Sequence, residues 1–188
     1  MIYDRPWLEA EYTAGSDLGY LLFWGHQPAR DGSIGASCFS QWWPADFTIE
    51  GTTYPSAEHW MMAEKARLFG DDQIAREIIV ASSPKQVKAL GRQVKGFVEP
   101  EWDREKRGIV ARGNLAKFAQ NAGLRDFLLS TGDRILVEAS PVDRIWGIGL
   151  AADDANAHNP LEWRGENLLG FVLMDVRDEL ARSPARPA

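Results

Sequence analysis

Three acidic side chains of this sequence stand where carboxylates are costly, which makes them the first candidates for chemistry. Glu58 lies among apolar residues in YPSAEHWMMAEKARLFG, Glu138 ends the apolar run ILVE, and Asp143 falls within SPVDRIWGIG. An ionised carboxylate buried without a partner is strongly disfavoured, so such positions ask for a reason. Paired carboxylates in a dry cleft are the usual equipment for cleaving a glycosidic bond. One stabilises the developing oxocarbenium cation or activates water, while another group assists the leaving group. Ordinary roles stand beside this one. Pro141-Val142-Asp143 fits simple turn chemistry, and a glutamate at a strand end often caps a neighbour. Gly147 and Gly149 could let a phosphate approach the backbone, but a bare GxG that neither follows a strand nor opens a helix is no dinucleotide fingerprint.

The element that must position Glu58 is a predicted helix over 54–70. Pro55 and Ser56 supply its start and Gly70 its stop. At about 100° per residue, Met61, Met62, Leu68 and Phe69 share a face with Glu58 and Lys65, while Trp60, Glu64 and Arg67 point away. Glu58 and Lys65 stand roughly 10 Å apart along the axis, too far for a direct pair. Either each finds its own partner, or the face lines a polar pocket with a charge at each end. His59 falls off that face, where solvent or a carbonyl would meet it.

Around this helix the chain reads as a series of short elements. Residues 1–19 are polar and irregular, an N-terminal extension on the surface. YLLFW at 20–24 has strand character, 25–37 is a loop, and CFSQWWP gathers three aromatics. A tight hairpin turns at Glu50-Gly51. Helices are expected from Asp72 to about Ala81, from Pro84 to Gly91, from Pro100 to about Gln120 and from Ala122 to Leu129. On the long one, Trp102, Ile109, Gly113 and Ala116 form a stripe, with Arg104, Arg107 and Arg112 on its other sides. A strand over 135–138 leads to the apolar loop at 140–149, then a polar surface excursion at 151–166. Residues 167–180 read as a buried helix. One domain over 20–181 and a disordered tail at 182–188 complete the plan.

Bulk properties exclude more than they select. The 188 residues, 45% of them hydrophobic, suit one soluble domain with a proper core. A net charge of −6 and a pI near 5.1 do not advertise nucleic-acid binding, although a local basic groove needs only a favourable distribution. Eight tryptophans mildly favour a ring-shaped ligand. A single cysteine, Cys38, rules out an internal disulfide and a Cys-rich zinc site, and His26, His59 and His158 lack metal-ligand spacing. No metal and no cofactor are expected. No apolar run reaches the roughly 18–20 residues of a membrane span, and the N-terminus has no signal-peptide core, so the cytoplasm is the default compartment. No GxSxG, P-loop or kinase signature is present.

Several ordered motifs together carry a resemblance. CFSQWW, YPSAEHWMMAEKARLFGD, SPKQVKALGR, WDREKR, KFAQN, LLSTGDRILVEASPVDRIWGIG and GENLLGFVLMDVR resemble the NADAR (YbiA-like) family over about residues 20–180. Gln41 stands where family members often carry Asn before an aromatic residue. The resemblance implies a mainly α fold, an irregular helical array with a small β element, and an N-glycosidase without metal. It implies hydrolysis of the C1′–N bond of phosphorylated ribosylaminopyrimidines, early riboflavin-pathway intermediates. Other members are linked to NAD and ADP-ribose and remove ADP-ribose from guanine in DNA; a non-catalytic module binding ADP-ribose or NAD is the alternative from another class.

Motif matches make Glu58, Trp102 and Asp143 the catalytic positions, with Phe39, Ser40 and Trp42 of CFSQWW lining the substrate. Glu58 would face the ribose C1′, and Lys65, two turns along, would engage phosphate. Trp146 would stack on a base or sugar, Arg107 would contact phosphate, and Gly147 and Gly149 would bring backbone close to the ligand. Asn167 would present its amide and a helix N-terminus to an anion.

Overall fold

The computed structural model describes residues 3–28 and 31–182; of the tail expected over 182–188, Arg182 instead ends the last helix, and 183–188 lie outside the described residues. In chain order the elements are α1 (Arg5–Thr13), β1 (Tyr20–Phe23), a 3₁₀ turn (Ala36–Phe39), β2 (Phe47–Ile49), β3 (Thr52–Tyr54), α2 (Ala57–Leu68), α3 (Asp72–Ile79), α4 (Pro84–Gly91), α5 (Glu99–Gln120), α6 (Ala122–Ser130), β4 (Ile135–Glu138), a second 3₁₀ turn (Pro160–Glu162) and α7 (Leu168–Arg182). The fold is thus mainly helical with a small β element. The chain divides into two compact units, Gln41–Asn121 and the described residues of Met1–Ser40 with Ala122–Ala188. No helix among the described residues is long and apolar enough to cross a membrane.

The unit Gln41–Asn121 begins with the antiparallel hairpin of β2 and β3, in register Phe47 to Tyr54. Its two-residue turn needs positive φ twice. Glu50 and Gly51 supply it at 50° and 78°, the backbone of a primed turn. Helix α2 follows, capped by Ser56, whose hydroxyl accepts from the His59 amide. Its start and stop are those the sequence signals predict, with Gly70 at φ 72°. Its faces are not. Ala57, Glu58, His59, Trp60, Met61, Ala63 and Ala66 are all buried, so the helix is enclosed on every side and has no single apolar stripe. Trp60, expected to point away from the core, is only 2% exposed. Small alanines allow this: they let α3, α4 and α5 approach the helix closely.

Helix α5 is held to α2 by a fit between a large residue and an absent one. The Trp60 ring lies against Gly113, where a Cβ would come within 2.2 Å of Trp60 Cδ1. Trp60 Nε1 also donates to the Ile109 carbonyl at 2.7 Å, and the Arg112 guanidinium covers the ring at 4.9 Å. The buried line of α5 runs through Lys106, Val110, Gly113, Asn114 and Lys117. That line is more polar than the expected stripe, whose Trp102, Ile109 and Ala116 are only partly buried.

In the other unit, β1 and β4 pair in parallel, with Tyr20 opposite Ile135, and α7 packs on β4. Gly170 makes that approach possible, since a Cβ there would lie 2.1 Å from the Leu136 carbonyl. Helix α7 is buried along most of its length, as its apolar sequence requires. Within the region expected to be an irregular extension, Arg5–Thr13 form a helix instead. Asp4 caps α1 by accepting from Trp7 N, Pro6 sits in the first turn, and Leu8 is fully buried. Arg5 fastens the helix by donating to the carbonyls of Gly165 and Pro160. The segment 151–166 likewise is not wholly a surface excursion. Ala157 and Trp163 are buried, and Trp163 Nε1 donates to the Ala157 carbonyl at 3.0 Å.

Two consequences can be measured. In an exposed helix, Gly→Ala stabilises by up to about 1 kcal/mol, and Gly108, with open space around it, should behave so. Gly113→Ala should instead destabilise by about 2 kcal/mol or more, because the Trp60 ring cannot yield; urea denaturation of both variants decides this. The second consequence concerns His59. Its Nε2 faces the Ala81 carbonyl at 3.0 Å and therefore carries the proton, leaving Nδ1 to accept from the Ser56 hydroxyl at 2.7 Å. Burial lowers the pKa of this histidine below its ordinary value, with the Ala81 carbonyl opposing in part. The unfolded chain then takes up the proton first, so stability should fall as pH drops below about 6.5 and level off below the folded-state pKa. Denaturation midpoints across pH 5–8 should show this slope, and His59→Gln should flatten it.

Candidate active site

The unit Gln41–Asn121 brings together the residues best suited to chemistry. Glu58 occupies the first turn of α2 and is 7% exposed. Its backbone amide donates to the Gln41 carbonyl at 2.9 Å, fixing the start of the helix against the CFSQWW segment. Two turns on, the Lys65 ammonium donates to the Gly91 carbonyl at 3.2 Å. It also sits 4.3 Å from the Phe97 ring centre and 5.9 Å from that of Trp102. Aromatic faces attract a cation, so the charge is held in place even though burial pushes the Lys65 pKa below its ordinary value. Lys65 thus has partners of its own, one of the two outcomes the helix spacing left open. Trp102, half-buried at the start of α5, is brought to Lys65, and Arg107 is half-buried further along the same helix.

Next to the Glu58 amide lies a polar pair that sequence reasoning did not single out. Asn114, fully buried, donates through Nδ2 to Gln41 Oε1 at 3.0 Å and to the Val110 carbonyl at 2.9 Å. Lys117, one turn on, is also fully buried, its ammonium 5.1 Å from the Phe118 ring centre. A signal for these residues existed. Lys106, Val110, Gly113, Asn114 and Lys117 recur at helical spacing, a stripe that is polar where a buried helix face is ordinarily apolar. Trp42 packs against the core of this unit.

The remaining sequence-predicted residues lie in the other unit. Asp143 accepts from the Ile145 and Trp146 amides at 2.9 and 2.8 Å, both through Oδ1, while its own amide donates to the Ser140 hydroxyl. This is the turn chemistry that Pro141-Val142-Asp143 allows. Among the described residues Oδ2 makes no hydrogen bond. Trp146 is half-buried beside it.

Gly147 and Gly149 are required by the fold itself. A Cβ at Gly147 would lie 2.8 Å from the Glu138 carbonyl, and Gly149 has φ 69° with Arg164 against it. Asn167 corrects its expected role. At φ 54° and fully buried, it donates through Nδ2 to the Leu136 carbonyl and accepts from the Glu138 amide through Oδ1, both at 2.9 Å. Its amide is committed to the open edge of β4, not presented to an anion. Phe39 is fully buried between Phe23 and Phe127, so it is a core residue here; Ser40 is 7% exposed.

The fold and these motifs have known counterparts. Residues 22–181 match the NADAR domain family. An N-glycosidase of Acanthamoeba polyphaga mimivirus is 45% identical over 165 residues, covering 85% of this chain and 95% of that protein. The N-glycosidase YbiA of Escherichia coli strain K12 is 34% identical over 139 residues, covering 74% of this chain and 77% of YbiA. The solution structure of E. coli YbiA superposes with a TM-score of 0.69 at 29% identity, over 87% of this chain and 86% of that one. With the family match spanning nearly the whole chain and the fold shared, this protein belongs to the NADAR domain family.

Proposed function

We propose that the protein is a metal-independent N-glycosidase that hydrolyses the C1′–N bond of a phosphorylated ribosyl substrate, of the ribosylaminopyrimidine phosphate class. The observation that carries this reading is the buried Glu58 carboxylate, held on the same helix as a cation fixed among aromatic rings. The names of its relatives as N-glycosidases support it. In the reaction, water adds its oxygen to C1′ while the C1′–N electron pair leaves with the nitrogen. Glu58 stabilises the positive charge that develops on the sugar or takes the proton of the attacking water; the leaving nitrogen gains a proton. Lys65 engages the phosphate, roughly 10 Å along the helix from Glu58, a distance that a ribose phosphate spans. Trp102 offers a face to a base or sugar, and Arg107 is a second phosphate contact. Asp143 is assigned as the second carboxylate from its SPVDRIWG motif.

A second reading, release of ADP-ribose from modified guanine in DNA, draws on the exposed Arg104 and Arg112 of α5. Mass spectrometry of reactions on a ribosylaminopyrimidine phosphate and on an ADP-ribosylated guanine oligonucleotide separates the two. Release of ribose 5-phosphate is expected. Release of ADP-ribose alone would establish the second reading, and cleavage of neither with ADP-ribose bound would leave a binding module. Glu58→Ala should lower turnover by about 10²–10⁴-fold with the fold intact, the range for a positioned acid–base group; near-native hydrolysis would remove Glu58 from the mechanism. Turnover should be unchanged in excess chelator, and its loss there would overturn the metal-free scheme.

A further inference from the structure

Phe97 is 43% exposed, yet its ring is held on two sides. Phe69 meets it edge-on, 5.3 Å between ring centres with the planes at 68°, and the Lys65 ammonium lies 4.3 Å from its centre. The cation it faces is half-buried and has three N–H donors. One goes to the Gly91 carbonyl at 3.2 Å, at the end of α4, where a helix leaves carbonyls without partners. The Phe97 face attracts the charge from a second side, and Trp102 at 5.9 Å stands at the outer limit of that attraction. Among the described residues no carboxylate pairs with Lys65, and burial is what pushes its pKa below the ordinary lysine value. The ammonium thus carries a charge that no paired anion cancels, and it has a donor to spare.

We propose that Phe97 is a positioning residue for ligand binding: its ring holds the Lys65 ammonium in place, with the spare donor presented to the phosphate of the ribosyl substrate. The proposal rests on the reading of Lys65 as the phosphate contact and adds a residue that no motif match supplies. A carboxylate would hold the ammonium more strongly, but it would also cancel the charge that a phosphate needs. An aromatic face attracts the cation through its quadrupole and leaves the net charge intact. Phe69 fixes the ring in turn, so the ammonium rests against a wall of set orientation. A side chain held this way before the ligand arrives loses less freedom on binding than a mobile one.

The test measures binding of ribose 5-phosphate by calorimetry between about pH 7.5 and 10.5, where the phosphate stays dianionic and lysine titrates. Wild-type affinity should fall as pH rises through the Lys65 pKa. Phe97→Leu keeps an apolar side chain and removes the π-face, so the charged form of Lys65 loses stabilisation and its pKa drops. The fall in affinity should then begin about half a pH unit to one unit lower, a loss of roughly 3–10-fold at a fixed pH above it. Phe97→Tyr, which keeps the face, should restore the wild-type profile. A ring that only packs would leave the profile unmoved in all three proteins; that result, or a shift upward, overturns the proposal. If Phe97→Leu does not fold, trifluorophenylalanine at position 97 decides. It keeps the shape while its fluorines draw electrons from the face, and the same downward shift is expected. Wild type that binds no ribose 5-phosphate, or binds it without dependence on pH, also overturns the proposal. Hydrolysis of the ribosylaminopyrimidine phosphate judges the glycosidase reading separately. A shifted profile without hydrolysis removes that reading and upholds the role of Phe97; hydrolysis with an unmoved profile does the reverse.

Discussion

The seating of Trp60 against Gly113 is the interaction on which the unit Gln41–Asn121 depends. A rigid indole and a missing Cβ let α2 and α5 come close, and the indole N–H bonded to the Ile109 carbonyl fixes their register. Tyr54 meets the same ring edge-on, which ties the hairpin to the pair of helices. Because α2 carries Glu58 and Lys65 while α5 carries Trp102, Asn114 and Lys117, this one contact sets the spacing of the candidate groups that the two helices carry. Its geometry is unforgiving in the direction of larger residues, as close-packed interiors are.

Enclosing α2 on all sides has an electrostatic consequence. A helix with one wet face leaves its charges in solvent; this one takes Glu58 and His59 into the interior and half-buries Lys65. Each must then be met locally. His59 is satisfied by the Ser56 hydroxyl and the Ala81 carbonyl, and Lys65 by the Gly91 carbonyl and two aromatic rings. These partners hold the side chains in single arrangements before any ligand arrives, which is the preorganisation that catalysis by positioned charge requires.

The second unit solves a different problem, that of a two-stranded parallel sheet too small to satisfy its own edges. Asn167, in the left-handed region, places both atoms of its amide on the backbone of β4, acting as a surrogate strand. Gly147, Gly165 and Gly170 let the surrounding loop and α7 close over that edge. The Asp143 turn rests on this packed loop, so its carboxylate is carried by rigid backbone although it lies outside regular structure.

Local chemistry determined most of the element plan. Caps at Ser56 and Ser83, the Glu50-Gly51 turn and the stop at Gly70 each act over a few residues, and the observed boundaries follow them. The Glu58, Lys65 and Trp102 grouping was legible in part, since helical spacing puts the first two on one face and family motifs mark the first and third. What only the tertiary structure decided was which polar groups lose their water. Periodicity cannot tell a helix enclosed on every side from one with a wet face, so it assigned Trp60 to the wrong side. Pairing across 73 residues, as between Gln41 and Asn114, leaves no local trace in either segment. Asn167 reads as a helix-start residue, yet its role comes from a strand some thirty residues earlier, a proximity that exists only once the chain has folded.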